Sequence, residues 1–323
     1  MSHVDRRDFI KQGVAVGAGL GLAAGASAAS SAGSAGSKMT PVAPGAKGMP
    51  MGRIGTLAVS RLISGGNLIS GWAHARDLRY VSELQRRYNT EAKVLETLAL
   101  CEAHGINTII ADPRDKPMEI FKKHWDRGGR IQWIAEGHPT PGDLFTNVQR
   151  SIDWGASAVY IQGVIGDRWL RDGQMDKLAK IVDHVKRQGL PAGIGAHMLD
   201  VIIAAETSGY RPDFYVKTLH HQDYWSARRP DQQLDVIENG ADNYWSMTPE
   251  QTIEFFKTVT VPWIAFKTLA AGAIRPQSGF EYAFKGGADF VCVGMFDWQV
   301  AEDAQIARAM VDKHRQRQRP WRA

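Results

Sequence analysis

The chain has 323 residues, 39 Lys and Arg against 34 Asp and Glu, a net charge of +5, and 44% hydrophobic residues. Five of the positive charges (Lys313, Arg315, Arg317, Arg319 and Arg322) fall in residues 313–323, so the remainder is balanced and offers nucleic acid no basic face. Cys101 and Cys292 are the only cysteines and read as two buried thiols; no zinc-ligand spacing surrounds them.

In chain order, Asp5-Arg6-Arg7-Asp8-Phe9-Ile10-Lys11 precedes the uncharged, Ala- and Gly-rich residues 12–29, where Ala26-Ser27-Ala28 offers small residues for cleavage. This resembles a twin-arginine export signal. The resemblance implies export to the periplasm or beyond, with the twin-arginine translocase as a partner in transit. The apolar stretch is too short and Gly-rich for stable membrane insertion. The expected organisation is a signal peptide (1–28), a Ser/Gly/Ala/Pro linker (29–52), one catalytic domain (53–312) and a solvated basic tail (313–323).

Within residues 53–312 one phrase recurs: an amphipathic helix, a glycine, then a short apolar strand. Helix 95–104 and Gly105 lead to strand 108–111, and helix 145–154 with Gly155 to strand 158–161. Helix 175–188 with Gly189 precedes strand 192–195, and helix 199–208 with Gly209 precedes strand 214–216. Helix 280–285 with Gly286-Gly287 precedes strand 290–293. The glycine supplies the left-handed residue that ends each helix. Leu62-Ile63, 131–134 and 263–266 complete eight strands, and Thr248-Pro249-Glu250-Gln251 reads as a capped helix start. Eight such units predict an α/β fold, a single (β/α)8 TIM barrel. Ser64-Gly65-Gly66-Asn67 is not the Gly-rich turn of an open nucleotide-binding sheet.

Side chains alternate along a strand, so every second residue faces the barrel interior. Phasing each strand on its last polar residue gives Thr108/Ile110/Asp112, Gln132/Ile134/Glu136, Ala158/Tyr160/Gln162 and Gly193/Gly195/His197. The same rule gives Tyr215/Lys217 and Trp263/Ala265/Lys267. All six polar residues then ring the C-terminal end, where barrel active sites are built. The following loops add Asn67, Trp72, His138, His220, His221, Asp223, Trp225 and Asp297. Two lysines on adjacent strands, about 4.8 Å apart, would depress each other's pKa and make an amine nucleophilic.

Several resemblances bear on these residues. Residues 55–62 with Gly65-Gly66, and Gly105-Ile106-Asn107, look like the opening of aldo/keto reductases. That family's catalytic Asp would fall at Ile110 and its Lys and His near Glu136 and Gln162, and residues 112–117 supply no Tyr, so NADP is not expected. Lys217-Thr218 and Lys267 resemble the lysine pair of deoxyribose-phosphate aldolases, which implies a Schiff base on Lys217 perturbed by Lys267. The barrel as a whole, from Gly65-Gly66-Asn67 through Lys217-Thr218-Leu219-His220-His221 to Gly294-Met295-Phe296-Asp297, resembles a group of twin-arginine-exported barrel proteins. That resemblance supplies fold and export but no reaction.

The expected function is an exported enzyme acting on a small carbonyl or sugar-like molecule by lysine-assisted lyase chemistry, with no cofactor required. Lys217, Lys267, His197 and His220 are the catalytic candidates. Asn67, Trp72, Asp112, Gln162, His221, Asp223, Trp225 and Asp297 are the substrate-binding candidates. One alternative is a divalent-metal isomerase or lyase with Glu136, His197 and His220 as ligands. Another is a sugar-binding barrel without catalysis.

Overall fold

The computed structural model describes residues 48–75, 78–228 and 245–323. The twin-arginine segment, its cleavage site and most of the expected linker lie outside the described residues. The described part opens with an antiparallel hairpin, β1 (Met51–Ile54) and β2 (Leu57–Ser60). Eight parallel strands follow and close in chain order: β3 (Leu62–Gly65), β4 (Thr108–Ala111), β5 (Gln132–Gly137), β6 (Ala158–Ile161), β7 (Ala192–Ala196), β8 (Phe214–Thr218), β9 (Trp263–Phe266) and β10 (Phe290–Val293). β10 pairs back to β3, so this is the expected (β/α)8 barrel. Among the described residues no helix is long and apolar enough to cross a membrane.

The helix–glycine–strand phrase has its expected physical basis. Helix Glu91–Ala103 is capped by the Thr90 side chain and ends ahead of Gly105 at φ 82°. Gly155 does the same at φ 95° after helix Thr146–Asp153. A side chain at either glycine would meet the steric cost of the left-handed region. The helix Pro249–Phe256 does start at its proline, but Thr248 makes no side-chain cap bond.

Two apolar layers follow from strand alternation. Ile63, Ile110, Ile134, Tyr160, Phe214, Val216, Ile264 and Phe290 pack inside the barrel, with Ile54 and Val59 of the hairpin filling its N-terminal end. Leu62, Ile109, Trp133, Val159, Ile194, Tyr215, Trp263 and Val291 face the helices.

The segment 313–323 differs from the solvated tail expected of it. Arg317 and Arg319 are buried and pair with buried Asp289 at 3.0 and 2.7 Å. Asp289 also accepts the backbone N–H groups of Trp263 and Arg322. Arg61 donates to the Asp289 carbonyl, and the guanidinium groups of Arg317 and Arg61 both lie against the Trp321 ring, 3.5 and 4.3 Å from its centroid. Burial, opposed by Asp289, lowers the Arg61 and Arg317 guanidinium groups to about 10. Arg317 and Arg319 therefore seal the floor of the barrel, while Lys313 and Arg315 remain exposed ion-pair partners of Glu281 and Asp312 and Arg322 is exposed.

Candidate active site

On four successive strands the interior face ends in a polar residue: Asp112 after β4, Glu136 within β5, Gln162 after β6 and His197 after β7. Lateral register supports this phase, because Ile110 stands beside Ile134, Glu136 beside Tyr160, and Tyr160 beside Gly193. These residues all belong to the interior set.

Glu136 is the centre of a dense network. Its Oε2 accepts the Tyr160 hydroxyl at 2.6 Å, and its Oε1 meets His138 Nε2 at 2.9 Å and accepts from Gln162 Nε2 at 3.0 Å. Burial alone would raise this carboxyl; His138, Tyr160 and Gln162 outweigh it and hold the group below the usual range, so Glu136 is ionised. The same burial, with the negative charge of Glu136, pushes the Tyr160 phenol well up. Asp112 is equally engaged: Ser70 Oγ donates to it at 2.7 Å, Arg114 Nε at 2.5 Å and Trp72 Nε1 at 3.5 Å.

His197 differs from both. Its Nδ1 faces Asp167 Oδ2 at 2.8 Å, while the Asp167 carboxylate also accepts the backbone N–H groups of His197 and Met198. Asp167 is fully buried in helix Gly163–Arg171 and fixes both the ring and the turn that carries it. Nδ1 is therefore the protonated nitrogen. Among the described residues Nε2 has no hydrogen-bond partner, and it is not one of the enclosed, unpartnered polar atoms, so it opens toward the mouth. Burial lowers the His197 pKa, Asp167 opposes this, and the charges of Lys267 and Lys217 lower it further. A neutral imidazole with an oriented, available Nε2 is a general base. Asp167 was not among the residues picked from the sequence; mid-helix in Gly163–Arg171, it reads there as an ordinary surface acid.

The two lysines do not share one mouth as expected. Lys217 registers with Ala196 and Ala265, both members of the outer layer. The interior residues of β8 are Phe214, Val216 and Thr218, so the phase that paired Tyr215 with Lys217 inside is reversed. Tyr215 packs on Phe256, and its hydroxyl donates to Glu206 on the outer side. Lys217 is fully buried, and its Nζ donates to the Thr218 carbonyl and hydroxyl. Burial brings it down to about 7, against raising contributions from Asp167 and Asp200. The cause of this depression is desolvation and not Lys267.

Trp263 and Ala265 likewise belong to the outer layer. Lys267 would follow them outward, but its φ of 58° breaks the alternation. Its ammonium lies 5.9 Å from the centroid of Phe266, an interior residue whose ring is 5.4 Å from that of His197.

His220 is fully buried. Its Nδ1 donates to the Lys267 carbonyl at 2.9 Å, and its Nε2 accepts from Ser246 N–H at 3.1 Å, with Tyr224 Oη at 3.3 Å. Burial lowers it to about 4, so it is a neutral strut with both nitrogens engaged. This corrects its expected roles as proton carrier and as metal ligand. Among the described residues no group of three or more His, Cys, Asp or Glu side chains could hold a metal ion, and the set Glu136, His197 and His220 does not form. The Glu136 oxygens are engaged by Tyr160, His138 and Gln162 and both His220 nitrogens by Lys267 and Ser246, which leaves His197 Nε2 as the one open donor atom of that set.

The loop candidates scatter. Asn67 is exposed and meets His74. Trp72 lies under the Arg114 guanidinium at 4.9 Å. His221 Nε2 meets Ser278 Oγ at 2.9 Å, and Asp223 and Trp225 are exposed. Asp297 turns to Tyr88 and Lys93 on neighbouring helices, a packing role.

No family model and no curated protein matches the chain. It is similar to solved structures. A Pseudomonas aeruginosa protein provisionally assigned as an aldo-keto reductase superposes with TM-score 0.56 at 19% identity, over 81% of this chain and 94% of that one. Gox0644 gives TM-score 0.50 as the apo form and 0.52 as a variant in complex with NADPH, each at 11% identity over 82% of this chain and 94% of that one. At these identities the likeness shows the fold alone, a (β/α)8 barrel.

Proposed function

We propose that this protein is an enzyme that moves protons on a small, polar carbonyl or sugar-like substrate, an isomerase or lyase using His197 as its base. The observation that carries the reading is the Asp167–His197 pair. The substrate would lie over Phe266 and His197, with the ionised Glu136, Gln162 and Asp112 contacting its hydroxyl or carbonyl groups. His197 Nε2 would take a proton from carbon or oxygen and return it to the neighbouring atom. Asp167 stabilises the imidazolium formed in between, as a buried carboxylate on Nδ1 does in other acid–base sites. A covalent Schiff base on Lys217 is not part of this reading, because that nitrogen has no exposure. Screening hydroxy-aldehydes, hydroxy-ketones and sugars in deuterated water tests it: the active enzyme washes deuterium into the carbon next to the carbonyl, and His197→Gln removes the exchange. Exchange that persists in His197→Gln rejects the assignment. Binding without exchange or turnover supports the sugar-binding barrel instead.

A second reading, nicotinamide-dependent reduction, is favoured by the neighbour whose structure contains NADPH. Titration with NADPH, followed by its fluorescence, separates the two. Export is part of the same proposal and rests on Arg6-Arg7 and Ala26-Ser27-Ala28. Replacing both arginines with lysine should strand the protein in the cytoplasm, and unchanged export would reject the twin-arginine assignment.

A further inference from the structure

The loop that follows β9 is the most strained stretch of the described backbone. Among the described residues four non-glycine positions have positive φ, and three of them, Lys267, Ala270 and Ala271, lie in this loop within five positions of one another. Left-handed residues with a Cβ are unfavourable and persist only where the surroundings hold them. Two contacts do so here. The buried His220 ring binds the Lys267 carbonyl, and Gly279 of helix Pro276–Lys285 closes on the Thr268 backbone, where a Cβ would come within 2.7 Å of the carbonyl oxygen.

The strain has a definite geometric product. An extended residue at 267 would send its side chain to the outer layer with Trp263 and Ala265. The left-handed residue instead swings the ammonium over the interior ring of Phe266, which in turn touches the ring of His197. Both His197 and His220 feel the charge of Lys267. The opposite side of the mouth is acidic, with Glu136 and Asp112. A cation held by backbone strain beside the proposed base, facing two carboxylates, polarises the mouth from one wall to the other.

We infer that Lys267 anchors an anionic group of the substrate, so that the enzyme acts on a small acid, a hydroxylated or keto compound bearing a carboxylate or phosphate, rather than on a neutral sugar. His220 is the positioning residue that holds Lys267 in its left-handed conformation. The inference rests on the proposed function for the place of the reaction, but not for the anchor itself. The anchor binds whether or not His197 is the base.

The test uses the full chain and two matched sets of probes: glycerol, glycerate and glycerol 3-phosphate, and glucose, glucuronate and glucose 6-phosphate. Binding is measured by calorimetry at constant ionic strength. In at least one set an acid member should bind about tenfold or more tightly than its neutral counterpart, the size of one charge-assisted contact. Whether carboxylate or phosphate wins identifies the group. The preference should vanish in Lys267→Met and be retained in part in Lys267→Arg. Lys267→Gly, which removes charge and strain together, should lose the preference while its melting temperature rises, so misfolding cannot explain the loss. His220→Asn should weaken the acid preference without adding or removing a charge at Lys267. Parity between acid and neutral members in the wild type, including no measurable binding of either, overturns the inference. So does a preference that survives in Lys267→Met. His197→Gln separates the two claims: it should keep the acid preference while losing proton exchange.

Discussion

The strands β4 to β7 and the strands β8 and β9 obey different rules at the mouth. On the first four, simple alternation carries a polar side chain inward, and Asp112, Glu136, Gln162 and His197 lie where the pattern sends them. On the last two it does not: Lys217 turns outward into the helix layer, and Lys267 reaches the interior only through a left-handed backbone. The difference is physical. In β5 the polar interior positions Gln132 and Glu136 alternate with Trp133 and Ala135 of the outer layer, so one register is strongly preferred. In β8 and β9 both faces are apolar, Phe214 and Val216 against Tyr215, and Ile264 and Phe266 against Trp263 and Ala265. Either phase buries apolar surface, and packing decides between them.

The comparison breaks most sharply at His197. His197→Gln should lower turnover by roughly 10²–10⁴-fold, the usual worth of a positioned general base, while unfolding at nearly the wild-type temperature. If Lys217→Met, on the other side, produced a loss of that size, the division between the two halves would be wrong. Lys217→Met should instead leave turnover in place.

Asp167→Ala should come next. It leaves the His197 ring and two backbone N–H groups without their acceptor, at a cost of about 2–4 kcal/mol in chemical unfolding. Asp167→Asn should recover most of that stability but not the turnover, because an amide presents the wrong partner to Nδ1–H. An orienting role predicts this split; a purely structural one predicts that both recover together.

Lys217 then sharpens the comparison through pH. Its folded pKa is about 7 against 10.5 when unfolded. Between those values the unfolded chain holds a proton that the folded chain lacks, so stability rises with pH from about 7 to 10.5 and is flat for this group below 7. The thiols of Cys101 and Cys292, raised to about 12 by burial, act in the opposite sense above pH 9. The informative quantity is thus the difference between wild type and Lys217→Met. It should change by at most roughly 5 kcal/mol across the window, 3.5 pKa units at 1.36 kcal/mol each. A difference curve flat from pH 7 to 10.5 would show that Lys217 stays charged in the folded protein.

The smallest effect belongs to Lys267→Gly. Relief of one left-handed residue should stabilise the fold by about 1 kcal/mol, partly offset by the freedom glycine gains when unfolded. Destabilisation would mean that its side chain contributes more to packing than its conformation costs.

Much of this was legible in the sequence. The eight strands, the glycines that end the helices and the polar ends of β4 to β7 follow from periods of 3.6 and 2 and from turn chemistry. Other features arise from contacts between distant positions and carry no local mark. Asp167 meets His197 thirty residues on. Lys267 is left-handed although it is followed by threonine and not glycine. Arg317 and Arg319 resemble a solvated tail until Asp289 is seen buried beneath them.

That last contact ties completion of the chain to the soundness of the barrel. Asp289 immediately precedes the final strand, but the cations that pair with its carboxylate arrive only with residues 317 and 319, beyond the last helix. A ribosome that has delivered β10 has delivered a carboxylate with Arg61 nearby, held on the Asp289 carbonyl, but without either of the arginines that pair with its oxygens. Until residues 317 and 319 emerge, closing the barrel means burying this carboxylate without the two ion pairs it has in the finished chain, which is disfavoured. The segment thus acts as a timing device: the eighth strand gains its full stability in place only when translation has passed Arg319.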